Sequence, residues 1–299
     1  MNDTRHRAGE GPAKDTLEAE LAGLAVRAPT GFADRVLRSA RIPAEYYDRY
    51  VRVEDSVLPL PLLVAYGADG AVTATALVSG EAGDPAGPEQ PAGGGPPGDE
   101  PFEGEYRLRT GRGVVSTTVY PPGLRAALRT GRPGGLRIAY TGLSPVERAV
   151  LEAVQSIPRG QLRPLAWIAR EAGAAGPATT GPTPVEVGRA LAGNPVPVLV
   201  PGHRVTADDG RPLGTGGEHP SSVERLLRAA EGMDLERVER MVQDGVVLLG
   251  SDTTRIYCHP TCAHARRITP RHQVPFHSTG EAAAAGYRAC KSCRPLIAA

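Results

Sequence analysis

Cysteine is missing from the first 257 of the 299 residues, which excludes a disulfide framework for most of the chain. Aromatic residues reach only 4 %, with a single tryptophan, so the core must be built mainly from aliphatic side chains. Lysine is nearly missing as well: of 34 basic residues only Lys14 and Lys291 are lysines, which reflects a codon-biased genome more than function. No apolar run approaches membrane-spanning length and no leader peptide is read, so a soluble cytoplasmic protein is expected. Glycine (37) and proline (29) are abundant instead. The length allows two or three domains, each with a real core.

All four cysteines lie in the last 42 residues, as Cys258 and Cys262 followed by Cys290 and Cys293. Two tight pairs separated by a segment that can fold back is the spacing of a tetrahedral four-thiolate zinc site holding one ion. Two disulfides are the weaker alternative, because secreted scaffolds spread their cysteines through the fold. Four free buried thiols are the third. Between the pairs, Gln273–Phe276 reads as a strand, and Glu281–Ala285 as a short helix capped by Ser278 or Thr279 and ended near Gly286. So small a piece has little core, and metal binding would supply most of its folding free energy. Residues 251–299 carry a formal charge of +5 against −4 for the remainder. A basic zinc module points to a polyanion, nucleic acid first, or to no more than a solvated basic face.

The chemistry of such a site is specific. Zinc keeps thiolates deprotonated at neutral pH, and the thiolate is the nucleophile. Four thiolates on Zn²⁺ leave a cluster of charge −2, electron-rich enough to attack an electrophilic methyl. A neutral electrophile can approach such a cluster where an anion is repelled. After transfer the cluster is at −1 and attraction to DNA rises. Spacing alone does not say which cysteine reacts.

The runs Thr253-Thr254-Arg255-Ile256-Tyr257-Cys258-His259-Pro260-Thr261-Cys262 and Glu281 to Pro295 resemble the zinc domain of the Ada family of DNA repair proteins. That resemblance implies that Cys258 accepts a methyl group from a DNA methylphosphotriester, once per molecule, with Cys262, Cys290 and Cys293 as co-ligands. One extra residue between the pairs leaves Arg266 or Arg267 as the arginine that meets DNA phosphate. Arg271 beside them, and Arg189 and Arg204 upstream, complete the expected DNA contacts.

Upstream, Leu17, Leu21 and Leu24, then Phe32, Val36 and Leu37, fall at helical spacing and suggest two short helices after a disordered start at 1–14. Residues 57–66 and 71–77 read as strands joined by a Gly67–Gly70 hairpin turn, and residues 80–101 as a flexible loop. A strand at 113–120 and a helix at 121–128 follow. Ser144-Pro145-Val146-Glu147 reads as a capping box opening a helix to about Gln155. Residues 164–171 and 184–192 form a further helix pair of helix-turn-helix type, in which Trp167 is read as helix packing. The segment Gly193 to Val205 resembles the active-site segment of the alkylguanine-DNA alkyltransferases. The resemblance runs from about Tyr50 to Asp234.

That likeness implies that Asn194 is a structural asparagine, His203 a general base and Glu231 its charge relay. Gly202 stands where that family has its acceptor cysteine, so His203 has no nucleophile to activate and could simply be a core histidine. The chain is in this respect similar to the alkyltransferase-like proteins, which bind alkylated bases without repairing them. Yet Leu165 falls at their tyrosine position and Val185 at their arginine finger, with Arg189 one turn later as a substitute. Their glycine-tyrosine segment is eroded to Gly214-Thr215-Gly216-Gly217. Retained lesion binding and a degenerate scaffold are the two readings of this domain.

The expected architecture is α+β: a tail at 1–42, an antiparallel-sheet subdomain at 43–140, a helical winged-helix-like domain at 141–235 and a zinc module at 236–299. The expected partner is double-stranded, especially alkylated, DNA, bound by a monomer. A non-catalytic damage sensor and a zinc-stabilised regulatory module are the rival functions.

Overall fold

The computed structural model describes residues 31–55, 57–78, 100–175, 181–213 and 222–296. The predicted disorder at 1–14, the helix around Leu17–Leu24, nearly all of the 80–101 loop and the Gly214–Gly217 segment lie outside them. The last two residues of that loop, Glu100 and Pro101, already belong to a helix.

The hairpin forms as the turn residues require. β2 (Leu62–Tyr66) pairs antiparallel with β3 (Val72–Leu77), and Gly70 supplies the positive φ (78°) of the turn between them. β1 (Tyr47–Val53), which the sequence reading passed over, pairs antiparallel with β2. The predicted 113–120 strand is shorter, β4 (Gly113–Ser116), and it pairs parallel with β1. The subdomain is therefore a mixed sheet of order β3-β2-β1-β4 rather than purely antiparallel. The parallel pair is possible because a helix, α2 (Glu100–Thr110), lies in the connection before β4.

Both faces of this sheet are covered. Tyr50, Leu63, Ala65 and Ala74 pack with Phe102 and Tyr106 of α2. Val51, Val53, Leu62, Val64 and Val72 face a larger cluster built with α3 (Leu124–Thr130), α4 (Pro145–Gln155), α5 (Leu165–Ala175) and α6 (Pro184–Ala192). One core thus runs through residues 51–205, and the sheet and the helices stand on it together.

The helix starts follow local chemistry. Ser144 and Glu147 close a capping box at α4, Thr183 and Glu186 another at α6, and both helices begin on proline. Each cap contributes about 1 kcal/mol. The first described helix, α1 (Phe32–Ser39), forms where the spacing of Phe32, Val36 and Leu37 suggested one, but these residues do not anchor it. Its apolar residues Phe32 and Val36 are each 47 % exposed, while Asp34 is 1 % exposed. Asp34 is the buried anchor because Arg38, Arg49 and Thr117 all donate to its carboxylate.

After α7 (Ser222–Ala230) and α8 (Leu235–Gln243), the C-terminal module forms a sheet of order β10-β8-β7-β9 from β7 (Leu248–Ser251), β8 (Ile256–Cys258), β9 (Gln273–Phe276) and β10 (Arg288–Ala289). Strand alternation sorts its residues. Leu249 faces the cysteines, while Leu248 and Tyr257 join Phe276, Ala282 and Tyr287 on the opposite side. Phe276 and Tyr287 meet edge to face, centroids 4.8 Å apart. A Cβ on Gly250 would lie 2.6 Å from the Phe276 ring and 2.7 Å from the Tyr287 ring. Gly250→Ala is therefore expected to cost about 1–3 kcal/mol through overpacking, read as a lower unfolding midpoint of the full chain.

Candidate metal centre

Parallel pairing places the first sulfurs side by side. Ile256 stands opposite Arg288 and Tyr257 opposite Ala289, so β8 and β10 each deliver a cysteine, Cys258 and Cys290, at the same end of the sheet. The Cys290 N–H donates to the Tyr257 carbonyl at 2.9 Å. Each pair then closes as a tight turn: the Cys262 N–H donates to the His259 carbonyl at 3.0 Å, and the Arg294 N–H to the Cys290 carbonyl at 2.9 Å.

The result is four buried sulfurs, none in a disulfide, all within 4.8 Å of one another. Ideal Zn–S bonds of about 2.3 Å in a tetrahedron put sulfurs about 3.8 Å apart, so the set matches one ion with slight contraction. The donor chemistry agrees. Hydrogen bonding to Cys262 and Cys293, then burial, pushes the Cys258 thiol far up. Bonds from Cys258 and Cys293 push Cys262 far down, and the N–H groups of His264 and Ala265 also favour its thiolate. Sulfurs so close cannot all ionise without a cation, and a divalent ion removes the conflict.

Cys258 lines an open cavity of about 340 Å³, walled by Thr253, Thr254, His264, Arg267, Thr269 and His272 among others. Cys262, Cys290 and Cys293 are not on its wall. Cys258 itself is only 2 % exposed, so anything that reaches it must descend this cavity. On the rim, Arg271 Nε donates to His272 Nε2 at 3.1 Å, and His272 Nδ1 meets Asp252 at 2.9 Å. His259 is buried, with an unpartnered Nε2; burial, reinforced by the charge of Arg163, pushes its imidazole down to about 3 and keeps it neutral.

The arginines named from the sequence separate. Arg267 lies on the Cys258 cavity, whereas Arg266 lines a different cleft with Gly160, Gly232 and Thr261. Arg189 and Arg271 are solvent-exposed. Arg204 is not available to DNA, contrary to expectation. It is 3 % exposed, paired with Glu231 at 2.7 Å and donating to the Ile157 carbonyl at 2.6 Å. Its charge is used inside the fold to hold a buried carboxylate.

His203 Nε2 meets the same Glu231 carboxylate at 2.9 Å. Burial pushes the His203 imidazole down. Burial alone would raise Glu231, but the bonds from His203 and Arg204 outweigh it and hold the carboxyl at about 2. Asn194 closes its own loop, donating to the Val200 carbonyl at 2.9 Å and accepting from the Val196 N–H at 3.1 Å. Of the four residues expected to form a base pocket, His203 and Glu231 share a cavity of about 30 Å³, room for a water or two; Asn194 and Gly202 are not on its wall. A Cβ on Gly202 would touch only Leu191 Cδ2, at 3.9 Å, so packing does not impose glycine there. Leu165 packs against the main core, and Val185 is 70 % exposed on the first turn of α6.

Residues that carried no signal in the sequence join the metal centre to the helices. Trp167, read as helix packing, donates its Nε1–H to the Cys293 carbonyl at 3.0 Å. The Leu162 N–H donates to Thr261 Oγ1 at 2.7 Å. Arg170 donates to the Arg294 carbonyl at 2.6 Å, and Arg294 pairs with Glu171. The lone tryptophan of an aromatic-poor chain was the one hint available.

Residues 237–295 match the family model described as the metal binding domain of Ada. Residues 145–233 match that of the 6-O-methylguanine DNA methyltransferase DNA binding domain. The methylated-DNA–protein-cysteine methyltransferase of Methanothermobacter thermautotrophicus is 33 % identical over 97 residues, 32 % of this chain and 49 % of that protein. The chain thus spans about half the length of that relative. Among solved structures, the O6-methylguanine methyltransferase of Mycobacterium tuberculosis is 21 % identical with a TM-score of 0.39, over 62 % of this chain and 92 % of that one. The O6-methylguanine-DNA methyltransferase of Pyrococcus kodakaraensis is 18 % identical with a TM-score of 0.32, over 62 % and 99 % respectively.

Proposed function

We propose that this chain, in which an Ada-type zinc-binding domain follows a DNA binding domain of the 6-O-methylguanine DNA methyltransferase type, repairs alkylated DNA by transferring a methyl group to Cys258. The substrate is a methylphosphotriester of the backbone. The observation that carries this reading is the position of Cys258: of the four clustered cysteines it alone lines the cavity that Arg267 also walls.

Bound by the four sulfurs, zinc keeps them as thiolates at neutral pH and leaves the cluster a net negative charge. The Cys258 sulfur attacks the methyl carbon from the side opposite its oxygen. The S–C bond forms as the C–O bond breaks, and the electron pair stays on that oxygen, leaving an ordinary phosphodiester anion. The cysteine ends as a thioether, so each molecule reacts once. Arg267 holds a neighbouring phosphate as a point of register.

The upstream domain takes no alkyl group in this reading. Gly202 offers no nucleophile beside His203. The domain's contribution is to bind duplex DNA through the α5–α6 pair, with Arg189 on the exposed surface of α6, while the zinc module presents the exposed Arg271. Incubating the full chain with duplex carrying one methylphosphotriester, then taking its intact mass, tests the proposal. A gain of one methyl is expected, with none from plain duplex; no gain would leave a damage sensor. Separately, Arg267→Ala is expected to weaken binding to all duplexes alike and to reduce the salt slope by about 1, read by titration at several salt concentrations. An unchanged slope would remove Arg267 from the interface.

A further inference from the structure

Arg163 begins the short strand β5 (Arg163–Pro164), just ahead of α5, and is 2 % exposed. Its Nη1 donates to the Leu162 carbonyl and its Nη2 to Gln161 Oε1, both at 2.7 Å. Its guanidinium lies 5.5 Å from the centre of the Trp167 ring, and its Nε is buried without a partner. Among the described residues no carboxylate pairs with it. A buried charge without a counter-charge is among the most costly things a fold can contain, so something must balance this one.

Its neighbours show where the balance lies. Leu162, one residue before, bonds to Thr261 between Cys258 and Cys262. Trp167, on which the guanidinium rests, bonds to the carbonyl of Cys293. Arg163 thus sits between a residue bonded to the turn of the first cysteine pair and a ring bonded to the second. Burial pushes its pKa down, and the charges of Cys293, Cys262, Cys290 and Cys258 pull it up.

We propose that Arg163, contributed by the methyltransferase-type domain, is the buried counter-cation of the zinc–thiolate cluster. The inference rests on the four sulfurs holding zinc, not on methyl acceptance. With Arg163 counted, the buried total is −1 before transfer and zero after it. The guanidinium stabilises the sulfurs as anions, which tightens metal binding and tempers their reactivity. It touches neither DNA nor ion and acts only through the sulfurs, so the metal centre is electrostatically incomplete without the preceding domain.

The test compares full-length protein with Arg163→Gln and Arg163→Lys. Competition with a chromogenic chelator at fixed neutral pH is expected to show zinc held about 10–100-fold more weakly by the Gln variant and nearly as tightly as wild type by the Lys variant. In cobalt-substituted protein the sulfur-to-metal charge-transfer band is expected to move to lower energy in the Gln variant alone, because losing a nearby positive charge raises the sulfur donor levels. A merely structural role would weaken both variants equally and leave the band in place. That pattern, or a Gln variant with wild-type affinity, would overturn the proposal. If the pattern holds while the intact-mass experiment shows no methyl gain, the counter-cation stands and the acceptor reading falls.

Discussion

Cys258→Ser is expected to reduce methyl gain from methylphosphotriester DNA to background, with every other cysteine in place. A serine hydroxyl has no accessible anion at neutral pH and is a poor zinc ligand, so both nucleophile and fourth donor are lost. Zinc content must be measured alongside, because an emptied site would lose activity for an uninteresting reason. Cys262→Ser supplies the comparison: it removes a ligand of the same cluster without touching the cysteine on the cavity wall. Where the two variants retain similar metal, only Cys262→Ser should still gain a methyl, more slowly. Peptide mapping of the methylated wild type should place the group on Cys258. A methyl found on Cys290 or Cys262, or one still gained by Cys258→Ser, would refute the assignment.

The position of this sulfur was only half visible in the sequence. Spacing identified the four ligands because two short turns can each offer two sulfurs to one ion whatever surrounds them. It could not rank them, since ranking depends on which sulfur meets a cavity. That is decided by the parallel pairing of β8 with β10, strands of three and two residues too short to carry any alternation. Helix α6 was legible to the residue because Thr183, Pro184 and Glu186 mark its start chemically. β1 was not, because Asp48 and Arg49 look like surface residues. Asp48 is in fact 3 % exposed, bonded by Tyr106 and by Arg112. Arg204 misled for the same reason: it is a charge buried against Glu231, a partner distant in sequence. Composition assigns such residues to the surface by default, and only three-dimensional pairing reverses that.

Arg204 leads to the largest expected effect on stability. Glu231→Gln keeps the shape of the side chain and removes its charge, leaving the Arg204 guanidinium, 3 % exposed, with no anion. Breaking a buried pair from one side costs about 3–5 kcal/mol, so denaturant unfolding at neutral pH should show a loss of that order. Arg204→Met in the same background should recover part of it, because the orphaned charge is then gone. The pair also fixes a pH dependence. The folded carboxyl sits at about 2, below its ordinary value of 4.5, so the unfolded chain takes up the proton first as pH falls. The contribution is complete above about 4.5 and is lost progressively as pH drops towards 2. Other carboxylates titrate over the same range, but they are common to both proteins. The difference between wild type and Glu231→Gln isolates this one, and it should shrink steadily below pH 4.5. A difference that is small at neutral pH, or that stays constant in acid, would mean that Glu231 does not carry the charge that holds Arg204 and His203 in place.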